Sequence, residues 1–151
     1  MKLTSTAFLD GELIPKRYGM DFENINPTLT IHDVPDGTVS FVLILEDPDI
    51  PEAAGVPIWD HWVVFNIPST VRQISEKWIV EGTRGIGTRN KLDYLGPRPP
   101  DREHRYFFRV YALDCMLDLP EGSNKQSILE KSLGHILATA ELMGRFAPSF
   151  L

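Results

Sequence analysis

Three short stretches of this sequence bring ionisable and rigid residues together at spacings that chemistry can use. The first is Glu46-Asp47-Pro48-Asp49-Ile50-Pro51, in which two carboxylates flank a proline. Acids so spaced can orient hydrogen-bond donors or share a proton. They can also simply end a strand in an Asx-Pro turn with both acids in solvent. The second is Trp59-Asp60-His61-Trp62. Strand alternation puts His61 on the face opposite Asp60 and Trp62, where an imidazole between indoles can donate to an anion from a partly desolvated wall. The plainer alternative is a histidine at the core's edge, satisfied by a backbone carbonyl. The third stretch runs from Tyr94 through Gly96-Pro97-Arg98-Pro99-Pro100-Asp101-Arg102-Glu103 into His104-Arg105-Tyr106. Its prolines preset the backbone, and Gly96 admits the close approach of a ligand. His104 and Tyr106, two apart on a strand, share a face and can aim two donors at one oxyanion. The rival is a proline-stiffened surface loop with Tyr106 packed in the sheet.

Other chemistries find less support. Asp47, His61 and His104 could be assembled into a zinc site, but no H-x-x-x-H or paired-cysteine spacing accompanies them. A serine hydrolase needs a G-x-S-x-G elbow, and Gly122-Ser123-Asn124 reads instead as a helix start. Gly82-Thr83-Arg84-Gly85-Ile86-Gly87 does not match the dinucleotide fingerprint. His32 and His135 have no motif around them, and the single cysteine, Cys115, reads as a small buried hydrophobe. No cofactor is called for.

The elements that position these residues are mostly strands. Ser40-Phe41-Val42-Leu43-Ile44-Leu45-Glu46 follows the turn-forming Pro35-Asp36-Gly37 and ends at Asp47-Pro48, as a buried strand does. Trp62-Val63-Val64-Phe65-Asn66-Ile67 stops at Pro68, and Arg105 to Leu113 alternates along an aromatic ribbon. Weaker strands are expected at Leu3 to Leu9, Leu29 to His32 and Trp78 to Val80. Together these predict an antiparallel sheet protein. Ser123 with Gln126 forms a capping-box-like start for one short helix through Ile128, Leu129 and Leu133, with Gly134 as its C-cap. Ile136 to Arg145 fits a helix or a strand, and periodicity does not decide between them.

Length and charge bound the function. A chain of 151 residues with 42% hydrophobic and 24% charged residues, 11 glycines and 12 prolines is expected to form one globular domain, not a disordered, collagenous or coiled-coil chain. The balance of 15 basic against 21 acidic residues gives a net charge of −6, so no positive field attracts nucleic acid. The longest aliphatic or aromatic run, Phe41 to Leu45, is far short of the roughly 20 residues of a membrane-spanning helix. The acidic charge gives little attraction to an anionic bilayer, so stable membrane insertion is not expected. Neither an export signal nor a disulfide framework is read, and a cytoplasmic location is expected.

Taken in order, the three stretches resemble the phosphatidylethanolamine-binding protein family, which includes the Raf kinase inhibitor protein and a branch of small bacterial and archaeal members. The likeness is carried by Asp47-Pro48-Asp49-Ile50-Pro51, by Trp59-Asp60-His61-Trp62-Val63-Val64, and by Tyr94-x-Gly96-Pro97-x-Pro99-Pro100 followed by His104-Arg105-Tyr106. Asn24-Ile25-Asn26-Pro27-Thr28-Leu29 and His135-Ile136-Leu137-Ala138-x-Ala140-Glu141-Leu142-x-Gly144 extend it over nearly the whole chain. The resemblance implies a mainly β fold, an antiparallel β-sandwich of Greek-key type with one or two short helices near the C-terminus. It also makes Leu137 to Phe146 a strand that follows the helix. It implies a small pocket binding phosphate, acetate or a phosphoryl headgroup, formed by Asp47, Trp59, His61, Gly96, Pro97, Pro99, His104 and Tyr106. In that pocket Asp47 can fix the tautomer of one histidine and favour its cationic form.

This chain departs from the family pattern at four places. Arg98 stands between the loop prolines where many relatives have a small residue, and the segment from Pro100 to His104 is shorter and lacks a glycine. Ile31 replaces a tryptophan, and Ile50 replaces a small residue. Arg98 and Arg102 either add fork-like donors to a phosphate, or Arg98 turns to solvent while Asp101 and Glu103 cancel the local charge.

The leading expectation is a non-enzymatic protein that binds a small anion or a phosphorylated small molecule and regulates a protein partner such as a kinase or protease. A homodimer is a further implication of the resemblance. Two rivals stay open. One is a small hydrolase or phosphoesterase using His61 and His104 as acid and base; the other is an interaction scaffold whose pocket Arg98 has closed.

Overall fold

The computed structural model describes residues 1–150. Eight strands and one α-helix run in the order β1 (Lys2–Thr4), β2 (Leu29–His32), β3 (Ser40–Asp47), β4 (Trp59–Pro68), β5 (Gln73–Ile74), β6 (Thr83–Arg84), β7 (His104–Leu113), α1 (Lys125–Ser132) and β8 (Ile136–Phe146). They make two antiparallel sheets, one of three strands in the order β1-β2-β5 and one of five in the order β6-β4-β3-β7-β8.

The unbroken apolar run of β3 has a structural cause. All eight of its residues are buried, because the central strand is covered on both faces. Phe41, Leu43 and Leu45 pack with Leu3, Leu29, Ile31 and Ile74 in the core shared with the small sheet. Val42 and Ile44 face the other way, into a second cluster with Val63, Phe65, Leu117 and Ile128 of α1. Ile31 is thus a core residue of the small sheet, buried to 3% exposure.

Four expectations need correction or completion. The first strand stops at Thr4 rather than Leu9, because Ser5 and Thr6 turn to bond Thr28 instead of continuing a ladder. Trp78 to Val80 is not a strand: the free edge of β2 is taken by Gln73–Ile74, and the Trp78 amide is drawn to Asn26 Oδ1 at 3.0 Å. The helix is capped by Asn124, whose side chain accepts from the Ser127 amide, while Ser123 Oγ donates to Pro120 O. Ile136–Phe146 is a strand paired along the whole of β7, as the resemblance implied.

What matters for function is where the ends fall. β3 is antiparallel to both β4 and β7, so its C-terminal Asp47 lies beside the N-terminal residues of its two neighbours. Trp59 pairs with Asp47 directly, and His104 opens β7 at the same end. Three stretches far apart in sequence therefore meet at one end of the large sheet.

Candidate functional site

Asp47 anchors this end. Its Oδ1 accepts from the Asp49 amide at 2.8 Å, the Asx turn the sequence allowed, but the carboxylate is buried to 3% exposure rather than solvated. Its Oδ2 accepts from His104 Nδ1 at 2.6 Å. Asp49 does not share a proton with it. Arg105 grips Asp49 with its backbone amide and with Nε and Nη2 at 2.8 to 2.9 Å, and these bonds hold the carboxyl down to about 2. Glu46 points to the opposite face and pairs with Arg109 and Lys125.

His61 reaches the site through a bulge. Leu45 pairs with Trp62 and Glu46 with Asp60, which leaves His61 as the extra residue. A bulge interrupts alternation, so His61 lies on the same side as Trp62: its ring packs edge-on against Tyr106 with centroids 5.4 Å apart, and Trp62 and Tyr106 belong to one core cluster. Asp60 turns the other way, to Lys125 at 2.7 Å. The strict-alternation expectation fails here because the extra residue resets the phase.

The protonation of His61 follows from its partner. Nδ1 lies 2.9 Å from Leu95 O, and a carbonyl only accepts, so Nδ1 carries the proton. Burial then drives the imidazole down to about 4, so Nε2 is an unprotonated acceptor at neutral pH. His104 is engaged at both nitrogens. Nδ1 faces Asp47, and Nε2 lies 2.6 Å from Asp101 Oδ1. With a carboxylate against each nitrogen, the ring has no site left for a further partner while both contacts hold. Desolvation pushes the Asp101 carboxyl up, but the bonds from His104 and the Arg102 amide more than reverse this and leave it below its ordinary value.

Neither histidine thus offers a spare N–H, contrary to the expectation that His61 and His104 each donate to an anion. Among the described residues two buried side-chain atoms lack a hydrogen-bond partner, Asp60 Oδ1 and the Tyr106 hydroxyl, and the first of them has the Lys125 ammonium at 2.7 Å. Burial raises Tyr106 further, with the Asp47 charge adding to it, so it stays a phenol and a donor.

A cavity of about 450 Å³ opens over these groups. Of the eight residues singled out from the sequence, Asp47, Trp59, His61 and His104 line it, whereas Tyr106 is fully buried and lines neither this cavity nor its neighbour. Pro97 and Pro99 line a neighbouring cavity of about 430 Å³. Gly96 is packed against the protein itself: a Cβ there would stand 2.0 Å from Tyr18 O, and its amide donates to Asn24 Oδ1 at 2.7 Å. The close approach that Gly96 permits is therefore of Tyr18, not of a ligand. Sequence reading passed over Met20, Arg89, Ala53 and Ala54, which complete the cavity wall and carry no local signal. Arg98 lines both cavities and ion-pairs with Asp21 at 3.2 Å, so it forms part of the rim and leaves the cavity open.

The two antiparallel sheets and the single helix make the mainly β fold that the resemblance implied, with a carboxylate, two imidazoles and a phenol gathered at one sheet end. A family model for phosphatidylethanolamine-binding protein matches residues 4–147, and the chain belongs to this family. A UPF0098 protein of Chlamydia trachomatis is 44% identical over 147 residues, covering 97% of this chain and 98% of that relative. The crystal structure of the phosphatidylethanolamine-binding protein homolog CT736 from Chlamydia trachomatis superposes with a TM-score of 0.93 at 43% identity, covering 96% of this chain and 95% of that one. Escherichia coli YbcL, whose structure is described as a new member of the mammalian family, aligns with a TM-score of 0.86 at 27% identity and covers 96% of each chain. No helix among the described residues is long and apolar enough to cross a membrane.

Proposed function

We propose that this chain binds a small oxyanion, phosphate or the phosphoryl group of a phosphorylated small molecule, over His104, and that it does so without turning its ligand over. The observation that carries this reading is Asp101. An oxyanion already sits on the outward nitrogen of His104, 2.6 Å away, and it belongs to an exposed loop residue that a ligand oxyanion can displace. His61 Nε2 accepts, which favours a ligand oxygen that still carries a proton, as hydrogen phosphate does. The cavity wall contains no serine, threonine or cysteine, so a hydrolase built here would have no hydroxyl or thiol nucleophile. Regulation of a kinase or protease partner is the outward role the family suggests for such a ligand-dependent surface.

Phosphate titration followed by the NMR signals of the histidine rings tests the reading. Saturable shifts of His61 and His104, lost in His104→Ala, support it; silence of both histidines at millimolar phosphate overturns it. Removing the internal competitor gives a sharper prediction. Asp101→Ala should bind phosphate severalfold more tightly than the wild type, measured in the same titration. Unchanged or weaker binding would mean that Asp101 is not in the ligand's place.

A further inference from the structure

The groups that line the cavity are not equally engaged. Asp47 is paired with His104, and Arg98 is paired with Asp21. Around the same mouth Arg102 has Asp101 and Arg105 has Asp49. Arg89 is different: its Nη1 meets the thioether of Met20 at 3.3 Å, a weak acceptor, and it has no carboxylate partner among the described residues. In a chain with 21 acidic against 15 basic residues, a guanidinium left on a sulfur atom at the edge of a cavity stands out.

Its backbone is firmly placed. The Thr88 amide donates to Asp60 O at 2.9 Å, and Thr88 Oγ1 accepts from the Asp60 amide at 2.8 Å. The turn after Thr88 is closed by bonds between Gly87 and Lys91 and between Gly87 and Asn90. Gly87 is packed too close to Asp60 O for any Cβ, which would stand 2.6 Å away. Arg89 is thus tied to the residue that precedes His61, and its charge is near enough to contribute to keeping that imidazole neutral. Much of the remaining wall is apolar, with Ile50, Pro51 and Trp59 among its residues. At about 450 Å³ the cavity falls in the range of sites for organic ligands, and a bare phosphate leaves that wall uncovered.

The geometry points to Arg89 as a second anion-binding group, selecting a ligand with two negative groups on an apolar body: a phosphoryl group over His104, and a carboxylate taken by the Arg89 fork. This rests on the oxyanion reading above and narrows it to phosphorylated aromatic or aliphatic acids. A planar guanidinium accepts a carboxylate through two parallel hydrogen bonds, which a lysine at the same position cannot reproduce.

Calorimetry with inorganic phosphate, phenyl phosphate, and 3- and 4-carboxyphenyl phosphate tests it on the wild type, Arg89→Ala and Arg89→Lys. In the wild type at least one carboxylated probe should bind about tenfold more tightly than phenyl phosphate. That ratio should collapse toward one in Arg89→Ala and recover only in part in Arg89→Lys. The inference is overturned if neither carboxylated probe gains over phenyl phosphate, or if the ratio survives in Arg89→Ala. If phosphate and phenyl phosphate bind to none of the three proteins, the oxyanion reading itself has failed and this one falls with it.

Discussion

Replacing Gly96 by alanine is expected to destabilise the protein by about 3 kcal/mol, at the upper end of what an added methyl group costs in a packed interior. A Cβ at this position would stand 2.0 Å from Tyr18 O and 2.9 Å from the carbonyl carbon of Gly19. Both obstacles are backbone, so no rotamer change relieves them. Nor can the two segments part easily. Tyr94 Oη donates to Tyr18 O at 2.9 Å, the Met20 amide donates to Pro97 O at 3.0 Å, and the Gly96 amide is held by Asn24. Gly122→Ala is the control. Gly122 has a positive φ of 89°, but a methyl group there would meet nothing within 4 Å, so alanine carries only backbone strain of about 1 kcal/mol. Thermal unfolding should place Gly96→Ala about 10 °C below the wild type, and Gly122→Ala well above Gly96→Ala. Equal midpoints would show that the 94–97 loop is free to move away from Tyr18. Leu95 O, the acceptor for His61, lies next to the clash, so the same substitution should also broaden the His61 ring signals.

The unequal legibility of the chain has physical causes. β3, β4 and β7 declared themselves because each is rich in β-branched and aromatic residues and stops at a turn or proline, properties stored locally in sequence. β5 and β6 have two residues each; they exist only because a neighbouring edge offers hydrogen bonds, and no periodicity can build up over two residues. The eleven-residue β8 was undecidable from its own pattern, because its outer half is exposed and it is held by β7 rather than by its own preference.

The site divides in the same way. Asp47, His61 and His104 stood out because charged residues at the ends of strong strands are rarely idle. Their partnerships did not, since each depends on a contact across the fold. The bulge that turns His61 toward Tyr106 is a mismatch between two strands and is invisible in either alone. Asp101 could be read only as a local charge until the loop placed it 2.6 Å from His104. Arg89 and Met20 come from segments with no motif at all, brought to the cavity by the Thr88–Asp60 bonds and by the Met20–Pro97 bond.

His61 should also set the acid limit of the fold. An imidazole in the unfolded chain titrates near 6.5, and burial holds this one to about 4 in the folded protein. Between those values the unfolded state binds more protons, so lowering the pH favours unfolding. The stabilisation is complete above pH 6.5, declines as the pH falls toward 4, and amounts to roughly 3 kcal/mol. Asp49, held at about 2 by Arg105, acts in a separate window, losing its contribution only as the pH falls below its ordinary carboxylate value of 3.8 toward 2. Urea unfolding at pH 7, 5.5 and 4 on the wild type and His61→Asn separates the two. Asparagine can place an amide N–H toward Leu95 O but takes up no proton, so the variant should lose roughly 3 kcal/mol less than the wild type between pH 7 and 4. Parallel profiles would mean that His61 is not the group responsible. The ligand enters the same equilibrium. An anion over the cavity favours the imidazolium form, whose Nε2 then donates instead of accepting, so phosphate should stabilise the wild type more at pH 5 than at pH 7. In His61→Asn that difference should shrink, because the proton that His61 takes up on binding is no longer part of the equilibrium.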